Sequence, residues 1–140
     1  MSKPSYETVV YTDGSCLKNP NGPSGWAFAI IQDDRIWAVQ GEDPSSTNNR
    51  MELQAVIEAL EFWNEPGDYK IYSDSQLVIK CAKGIWGRKS NLDLWAKYDI
   101  AANGKNVNWE WVKGHNGNEY NELVDGLARE SANNVKNKIL

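Results

Sequence analysis

The sequence predicts an α/β domain with a five-stranded mixed sheet, three antiparallel strands followed by two parallel ones, flanked by helices. Up to about residue 40, short runs of β-branched and aromatic residues alternate with turn signals, which is typical of an antiparallel meander. After residue 47, helical periodicity appears, and helical segments then alternate with strands, as in α/β folds. We therefore expect the order β-β-β-α-β-α-α-β-α in one domain covering residues 1–140.

The three meander strands are expected at Glu7–Tyr11, Trp26–Ile31 and Ile36–Gln40. Asp13-Gly14 predicts a turn that ends the first strand, and Asp33-Asp34 predicts a hairpin turn between the second and third strands. A loop rich in Pro, Gly and Asn is expected over Asn19–Gly25.

In the second part of the chain, Thr47 or Asn48 can cap a helix that continues to about Trp63. Its predicted buried stripe is Leu53, Val56, Ile57 and Leu60, at helical spacing. Asp74 or Ser75 can cap the helix that follows the next strand. The remaining segments are expected as a strand over Lys70–Ser73, a helix over Leu92–Ala101, a strand over Val107–Val112 and a helix over Glu119–Asn134.

The composition narrows the possible environments. The chain has 140 residues, no apolar run long enough for a membrane helix and no basic, apolar start typical of a signal peptide, so we expect a cytoplasmic monomer. Cys16 and Cys81 are expected to be free thiols, and with one histidine in the chain a zinc site is not favoured. The Met start and the helical end near Asn134 favour a free-standing protein.

The net charge of −4 is opposite to the basic excess of most nucleic-acid-binding proteins. However, acidic residues gathered around metal ions would account for part of it. The cations are also unevenly distributed, since one region of the chain contains Lys80, Lys83, Arg88, Lys89 and Lys97. The composition neither requires nor excludes a nucleic-acid partner.

Four carboxylates have suggestive positions: Asp13, Glu52, Asp74 and Asp125. Asp13 and Asp74 end strands that we expect to be parallel, and the carboxyl ends of such strands form the ligand crevice of α/β sheets. Mutual repulsion would oppose their ionisation unless cations such as Mg²⁺ or Mn²⁺ were bound. The alternative stays open at this point, because the same residues could be a turn, a helix cap and solvated surface.

The segments around these acids resemble the motifs of type 1 ribonuclease H. They are Tyr-Thr-Asp-Gly-Ser-Cys at 11–16, Thr-Asn-Asn-Arg-Met-Glu-Leu at 47–53, Ser-Asp-Ser-Gln at 73–76 and Trp-Glu-Trp-Val-Lys-Gly-His at 109–115, followed by Asn121 and Asp125. The resemblance implies a ribonuclease H-like fold and an endonuclease that cuts the RNA strand of an RNA/DNA hybrid, leaving 5′-phosphate and 3′-hydroxyl ends.

The resemblance also implies site residues and a cofactor. Asp13 would be shared by two Mg²⁺ ions, for which Mn²⁺ could substitute. Glu52 and Asp74 would complete the site on the leaving-group side, and Asp125 would hold the ion that activates water. His115 matches a mobile histidine of the family that is thought to assist proton transfer or product departure.

Substrate-contact positions carry over by the same resemblance. Cys16, Asn19, Asn48, Asn49 and Gln76 match residues that touch the minor groove and the RNA 2′-hydroxyls, the groups that distinguish RNA from DNA. In addition, Thr47 matches a residue that contacts a DNA phosphate in the family. The alternative interpretation of Asn48 and Asn49 is that they cap the helix.

The chain departs from the bacterial pattern between Gln76 and Asp93, where most of a basic, Trp-rich protrusion is missing. In what remains, Trp86 either stacks on a sugar of the DNA strand or belongs to the core. Lys83, Arg88 and Lys89 either meet phosphates or are solvated. The loop around Lys18 and Asn21 also differs from the pattern, which affects the contact expected for Asn19.

Three other functions fit parts of the pattern. A four-acid 3′–5′ exonuclease would have a Glu two residues after the first Asp, where this chain has Ser15. A non-catalytic hybrid-binding module would be expected to lose one of the acids, and all four are present. The nuclease domain of a larger polymerase is the third.

Overall fold

The computed structural model describes residues 7–113 and 118–139, and its elements follow the predicted order. The strands are β1 (Glu7–Cys16), β2 (Gly22–Gln32), β3 (Arg35–Ser46), β4 (Gly67–Ser73) and β5 (Lys105–Trp111). The helices are α1 (Asn48–Phe62), α2 (Gln76–Ala82), α3 (Leu92–Ala102) and α4 (Glu119–Ile139). Among the residues described, no helix is both long and apolar enough to cross a membrane.

The strands form one sheet in the order β3-β2-β1-β4-β5. β1, β2 and β3 pair antiparallel in succession, whereas β4 is parallel to both β1 and β5. The predicted mixed sheet is thus confirmed. Because β1 and β4 are parallel neighbours, their carboxyl ends lie at the same edge of the sheet, where a ligand crevice is expected.

Helices pack on both faces of the sheet. On one face, α1 and α3 enclose the larger core cluster, which includes Phe28, Leu53, Ile57, Ile71 and Trp95. On the other face, α4 packs on β1 and β2 and buries a smaller cluster with Tyr11, Ala29, Val124 and Ala128. The stripe predicted for α1 is buried as expected, since all four of its residues are at most 1% exposed.

The strands at the start of the chain are longer than predicted. Backbone pairing extends β1 to Cys16, opposite Ser24, and extends β2 back to Gly22, opposite Ser46. Pro44 lies within β3, which is tolerated because β3 is at the edge of the sheet. At the other end of the chain, α4 continues to Ile139 instead of ending near Asn134.

Candidate active site

Asp13 lies where β1 separates from β4. The parallel pairing of these strands ends at Tyr11, opposite Tyr72, while the pairing of β1 with β2 continues to Cys16. Asp13 is therefore inside a strand, and the predicted Asp13-Gly14 turn is wrong. Its carboxylate is nonetheless at the carboxyl end of the parallel pair, as expected, and the residue is 4% exposed.

Gly14 allows α1 to approach β1 closely. A Cβ on Gly14 would lie 2.4 Å from the backbone nitrogen of Glu52 and 2.4 Å from the carbonyl carbon of Met51. Thr47 begins the helix by accepting a hydrogen bond from the Arg50 N–H at 3.2 Å, so Thr47 is the cap. Together, the cap and the close approach place Glu52, at 8% exposure, beside Asp13.

Asp74 follows the last residue of β4 and precedes Ser75, whose hydroxyl caps α2 by accepting from the Val78 N–H at 3.2 Å. The indole N–H of Trp111 donates to the Asp74 carbonyl at 3.2 Å, which ties this position to the end of β5. Asp13, Glu52 and Asp74 each offer one carboxylate oxygen, and these oxygens all lie within 4.8 Å of one another. The structure thus brings together three of the four predicted acids.

Burial and mutual repulsion raise the pKa values of two acids in this cluster, Asp13 and Glu52. Burial, together with the charges of Asp74 and Asp125, raises the pKa of Asp13 to about 7. Burial, and then the neighbouring Asp13, raise the pKa of Glu52 well above its usual range. In addition, Oε2 of Glu52 is buried without a hydrogen-bond partner among the described residues. A buried oxygen that lacks a donor, in a cluster that resists ionising, fits a hard divalent cation.

Asp125 lies near this cluster without joining it. It is on α4, and its charge contributes to the raised pKa of Asp13. Its Oδ2 forms an ion pair with Arg129, one helical turn later, at 2.8 Å, and its side chain is 24% exposed. The i,i+4 spacing of the two residues could have suggested this pair from the sequence. His115 lies outside the described residues.

Three of the predicted substrate-contact residues, Cys16, Asn19 and Asn48, form a hydrogen-bonded group at the start of α1. The Asn48 side chain accepts from the Cys16 N–H at 2.8 Å, and the Asn48 N–H donates to the Asn19 side chain at 3.1 Å. Asn48 and Asn49 are exposed, as is Gln76 at the start of α2. The end of β1, the loop after it and the first turn of α1 are therefore fixed to one another beside the acids.

In the shortened basic region, the structure excludes one of the two readings of Trp86 and differs from both readings of Arg88. Trp86 is 44% exposed, so it is not a core residue. Arg88, expected either at a phosphate or solvated, instead contacts both carboxylate oxygens of Asp99, at 2.9 and 2.8 Å. Neither this ion pair nor the Trp111 hydrogen bond can be predicted from the sequence, because both join segments whose relative placement depends on the fold.

Comparisons with known proteins agree with this arrangement. Residues 5–133 match the family model described as RNase H. The "Ribonuclease H" of Caulobacter sp. (strain K31) is 42% identical over 134 residues, covering 86% of each chain. The "Ribonuclease HI" of Caulobacter vibrioides (strain ATCC 19089 / CIP 103742 / CB 15) is 38% identical, covering 96% of this chain and 98% of its own.

Similarity also extends to a solved structure. The crystal structure of LC11-RNase H1 in complex with RNA/DNA hybrid matches with a TM-score of 0.81 at 20% identity, covering 93% of this chain and 99% of that chain. At this identity the likeness concerns the fold. From the family model and the relatives, the chain belongs to the RNase H family. Within that family it is a type 1 ribonuclease H, as its motifs indicated, and therefore an enzyme.

Proposed function

We propose that this chain is an endonuclease that hydrolyses the RNA strand of RNA/DNA hybrids with two divalent cations, leaving 5′-phosphate and 3′-hydroxyl ends. The observation that carries the proposal is the convergence of Asp13, Glu52 and Asp74 at the carboxyl edge of the sheet. Family membership supports the choice of substrate, and LC11-RNase H1, which has the same fold, was crystallised with a hybrid. We further propose that residues 1–140 act as one catalytic domain, in the cytoplasm and as a monomer.

Mg²⁺ is the proposed cofactor, with two ions per site when substrate is bound and with Mn²⁺ as a substitute. Asp13, Glu52 and Asp74 would hold the ions, and Asp125 would join them by turning away from Arg129. When bound, the ions would supply Lewis-acid activation of water and stabilise charge on the leaving oxygen. The chain itself holds the three carboxylates on separate elements, so that little rearrangement is needed to bind the ions.

The proposed proton-transfer or product-release residue is His115, on the basis of its motif alone. It follows β5, whose end lies beside Asp74 through the Trp111 hydrogen bond. A histidine suits this task because its usual pKa lies near neutrality.

Recognition of the hybrid is assigned to the exposed amides at the start of α1. Asn48 and Asn49 would reach the minor groove and the 2′-hydroxyls of the RNA strand, because the bonds to Cys16 and Asn19 fix this surface beside the acids. Gln76, exposed at the start of α2, would contact the same groove from the other side of Asp74. Thr47 would contact a DNA phosphate and also cap α1.

The DNA strand is assigned to the shortened basic region. Trp86 and Asn49 line the same cavity of about 440 Å³, so the half-exposed indole adjoins the surface proposed to read the RNA strand. Trp86 would stack against a sugar of the DNA strand, and the exposed Lys83 and Lys89 would meet phosphates.

A substrate panel tests the proposed function. End-labelled RNA/DNA hybrid, RNA duplex and DNA duplex are each incubated with Mg²⁺, Mn²⁺ or EDTA. We expect internal cuts only in the RNA strand of the hybrid, none of them in EDTA. Trimming from one end would indicate an exonuclease, binding without cleavage would indicate a non-catalytic module, and either result would overturn the proposal.

A further inference from the structure

The loop between α2 and α3, residues 83–91, is folded back on the end of α2. The carbonyl oxygen of Lys80 accepts from the Ile85 N–H at 2.9 Å and from the Trp86 N–H at 3.2 Å. The carbonyl oxygen of Cys81 accepts from the Gly84 N–H at 3.3 Å. This loop stands where the missing protrusion would begin, and its backbone satisfies the last carbonyl groups of the helix.

Arg88 joins this loop to both flanking helices. Its Nε donates to the Cys81 carbonyl on α2 at 3.3 Å, while one terminal nitrogen contacts both carboxylate oxygens of Asp99 on α3. Its guanidinium also lies 4.3 Å from the ring centre of Trp95 and 5.7 Å from that of Tyr98. The side chain is 27% exposed. Nitrogens of the guanidinium are therefore hydrogen-bonded within the protein, and its face lies against aromatic rings.

Trp86, two residues earlier in the loop, has different surroundings. It is 44% exposed, and the ammonium group of Lys80 lies 4.6 Å from its ring centre. Trp86, Asn49 and Arg88 line the cavity of about 440 Å³, with Trp95 forming part of its wall. Arg88, which is held by contacts within the protein, and Trp86, whose ring is partly exposed to solvent, thus lie in the same short loop.

We propose that Arg88 is a positioning residue, which pins the 83–91 loop to α2 and α3 so that Trp86 is held ready to meet the DNA strand. This inference rests on the proposed function. Nε and one terminal nitrogen of Arg88 already donate to the Cys81 carbonyl and to Asp99, so a bidentate contact with a phosphate would cost at least one of these partners. Lys89 can meet a phosphate without such losses, because it is exposed.

A phosphate-binding role and a positioning role of Arg88 predict opposite effects on hybrid binding when Asp99 is replaced. Asp99→Asn removes a negative charge, which by electrostatics alone should strengthen binding of a polyanion. If Asp99 instead holds Arg88 in place, Asp99→Asn should weaken hybrid binding. Asp34→Asn is the matched control, because it removes the same charge from the β2–β3 turn, at the opposite edge of the sheet.

Binding is measured by fluorescence anisotropy with labelled hybrid in Mg²⁺, over a series of KCl concentrations, in a cleavage-deficient Asp13→Asn parent. We expect Arg88→Ala to raise the Kd by about tenfold at every KCl concentration, with the salt slope of the parent. Asp99→Asn should raise it by about threefold, whereas Asp34→Asn should not raise it. Lys89→Ala should flatten the slope by about 0.9, the value for one lost phosphate contact in B-form DNA.

Two further readouts separate positioning from general stability and from the proposed function. In the active chain, Arg88→Ala should raise KM with kcat unchanged within about twofold, and Arg88→Lys should recover part of the loss. Without nucleic acid, trypsin should cut after Lys83 and Lys89, the sites that all these chains share, faster in Arg88→Ala and Asp99→Asn than in wild type.

The positioning role is overturned if Arg88→Ala flattens the salt slope, if Asp99→Asn leaves the Kd unchanged or lowers it, or if the trypsin rates do not change. A parent that binds hybrid no better than DNA duplex would refute the proposed function instead, while the trypsin result would still report on the loop.

Discussion

Replacing Asp13 by Asn should stabilise the metal-free protein while abolishing cleavage. The buried carboxyl of Asp13 has its pKa raised from 3.8 to about 7, first by burial and then by the charge of Asp74. At about 1.4 kcal/mol per pKa unit, ionising this group in the folded protein costs about 4 kcal/mol. Asn keeps an oxygen for the Gly14 N–H, which donates to Oδ1 of Asp13 at 2.9 Å, and carries no charge.

The stabilisation should depend on pH in a defined direction. Because the folded-state pKa of Asp13 lies above its unfolded value, wild type binds more protons when folded, and its stability falls as pH rises from about 4 to 7. Asp13→Asn removes this fall. We expect a gain of about 2–4 kcal/mol at pH 8.5, the lower value allowing for relaxation around the charge, and a much smaller gain at pH 4.5.

The assay is urea unfolding in EDTA at the two pH values, with Asp34→Asn as a control for loss of an exposed carboxylate. Adding Mg²⁺ should stabilise wild type more than the variant, because the ion binds the folded site. An Asp13→Asn variant that is no more stable than wild type at pH 8.5, or that gains the same stability at both pH values, would show that the Asp13 carboxylate does not destabilise the folded protein.

Three other substitutions test the site's construction. Gly14→Ala should destabilise the fold by about 1–3 kcal/mol in urea unfolding, because the new Cβ would lie 2.4 Å from the α1 backbone. Trp111→Phe removes the bond to the Asp74 carbonyl, so it should cost about 1 kcal/mol and weaken Mg²⁺ binding measured by calorimetry. Arg129→Gln removes a cation that pairs with Asp125, and it should strengthen Mg²⁺ binding by about two- to fivefold, whereas Arg129→Lys should not.

The sequence was most informative where local chemistry decides the structure. The buried stripe of α1 is a local feature and is confirmed, and each helix cap, Thr47 and Ser75, is one of the two candidates that the sequence offered. The meeting of Asp13 and Asp74 could also be expected, since parallel strands place their ends at one edge, and the structure adds Glu52 of α1 to them.

The sequence was misleading where a residue's role depends on a distant segment. Asp13-Gly14 has the composition of a turn, but its glycine serves the approach of α1, whose contacting residues are more than thirty positions away. The pairing of Arg88 could not be predicted from its neighbours, because its partner Asp99 lies eleven residues later, on α3. In both cases, tertiary packing gave the residue a use that its neighbours in sequence do not reveal.

If the acid cluster hydrolyses the RNA strand of a hybrid as proposed, the product ends have a defined chemistry. Hybrid cut in Mg²⁺ is analysed by mass spectrometry, with Asp13→Asn in parallel. We expect internal RNA fragments with 5′-phosphate and 3′-hydroxyl ends from wild type, and none from the variant. Fragments ending in a 2′,3′-cyclic phosphate, or substantial cleavage by Asp13→Asn, would contradict it.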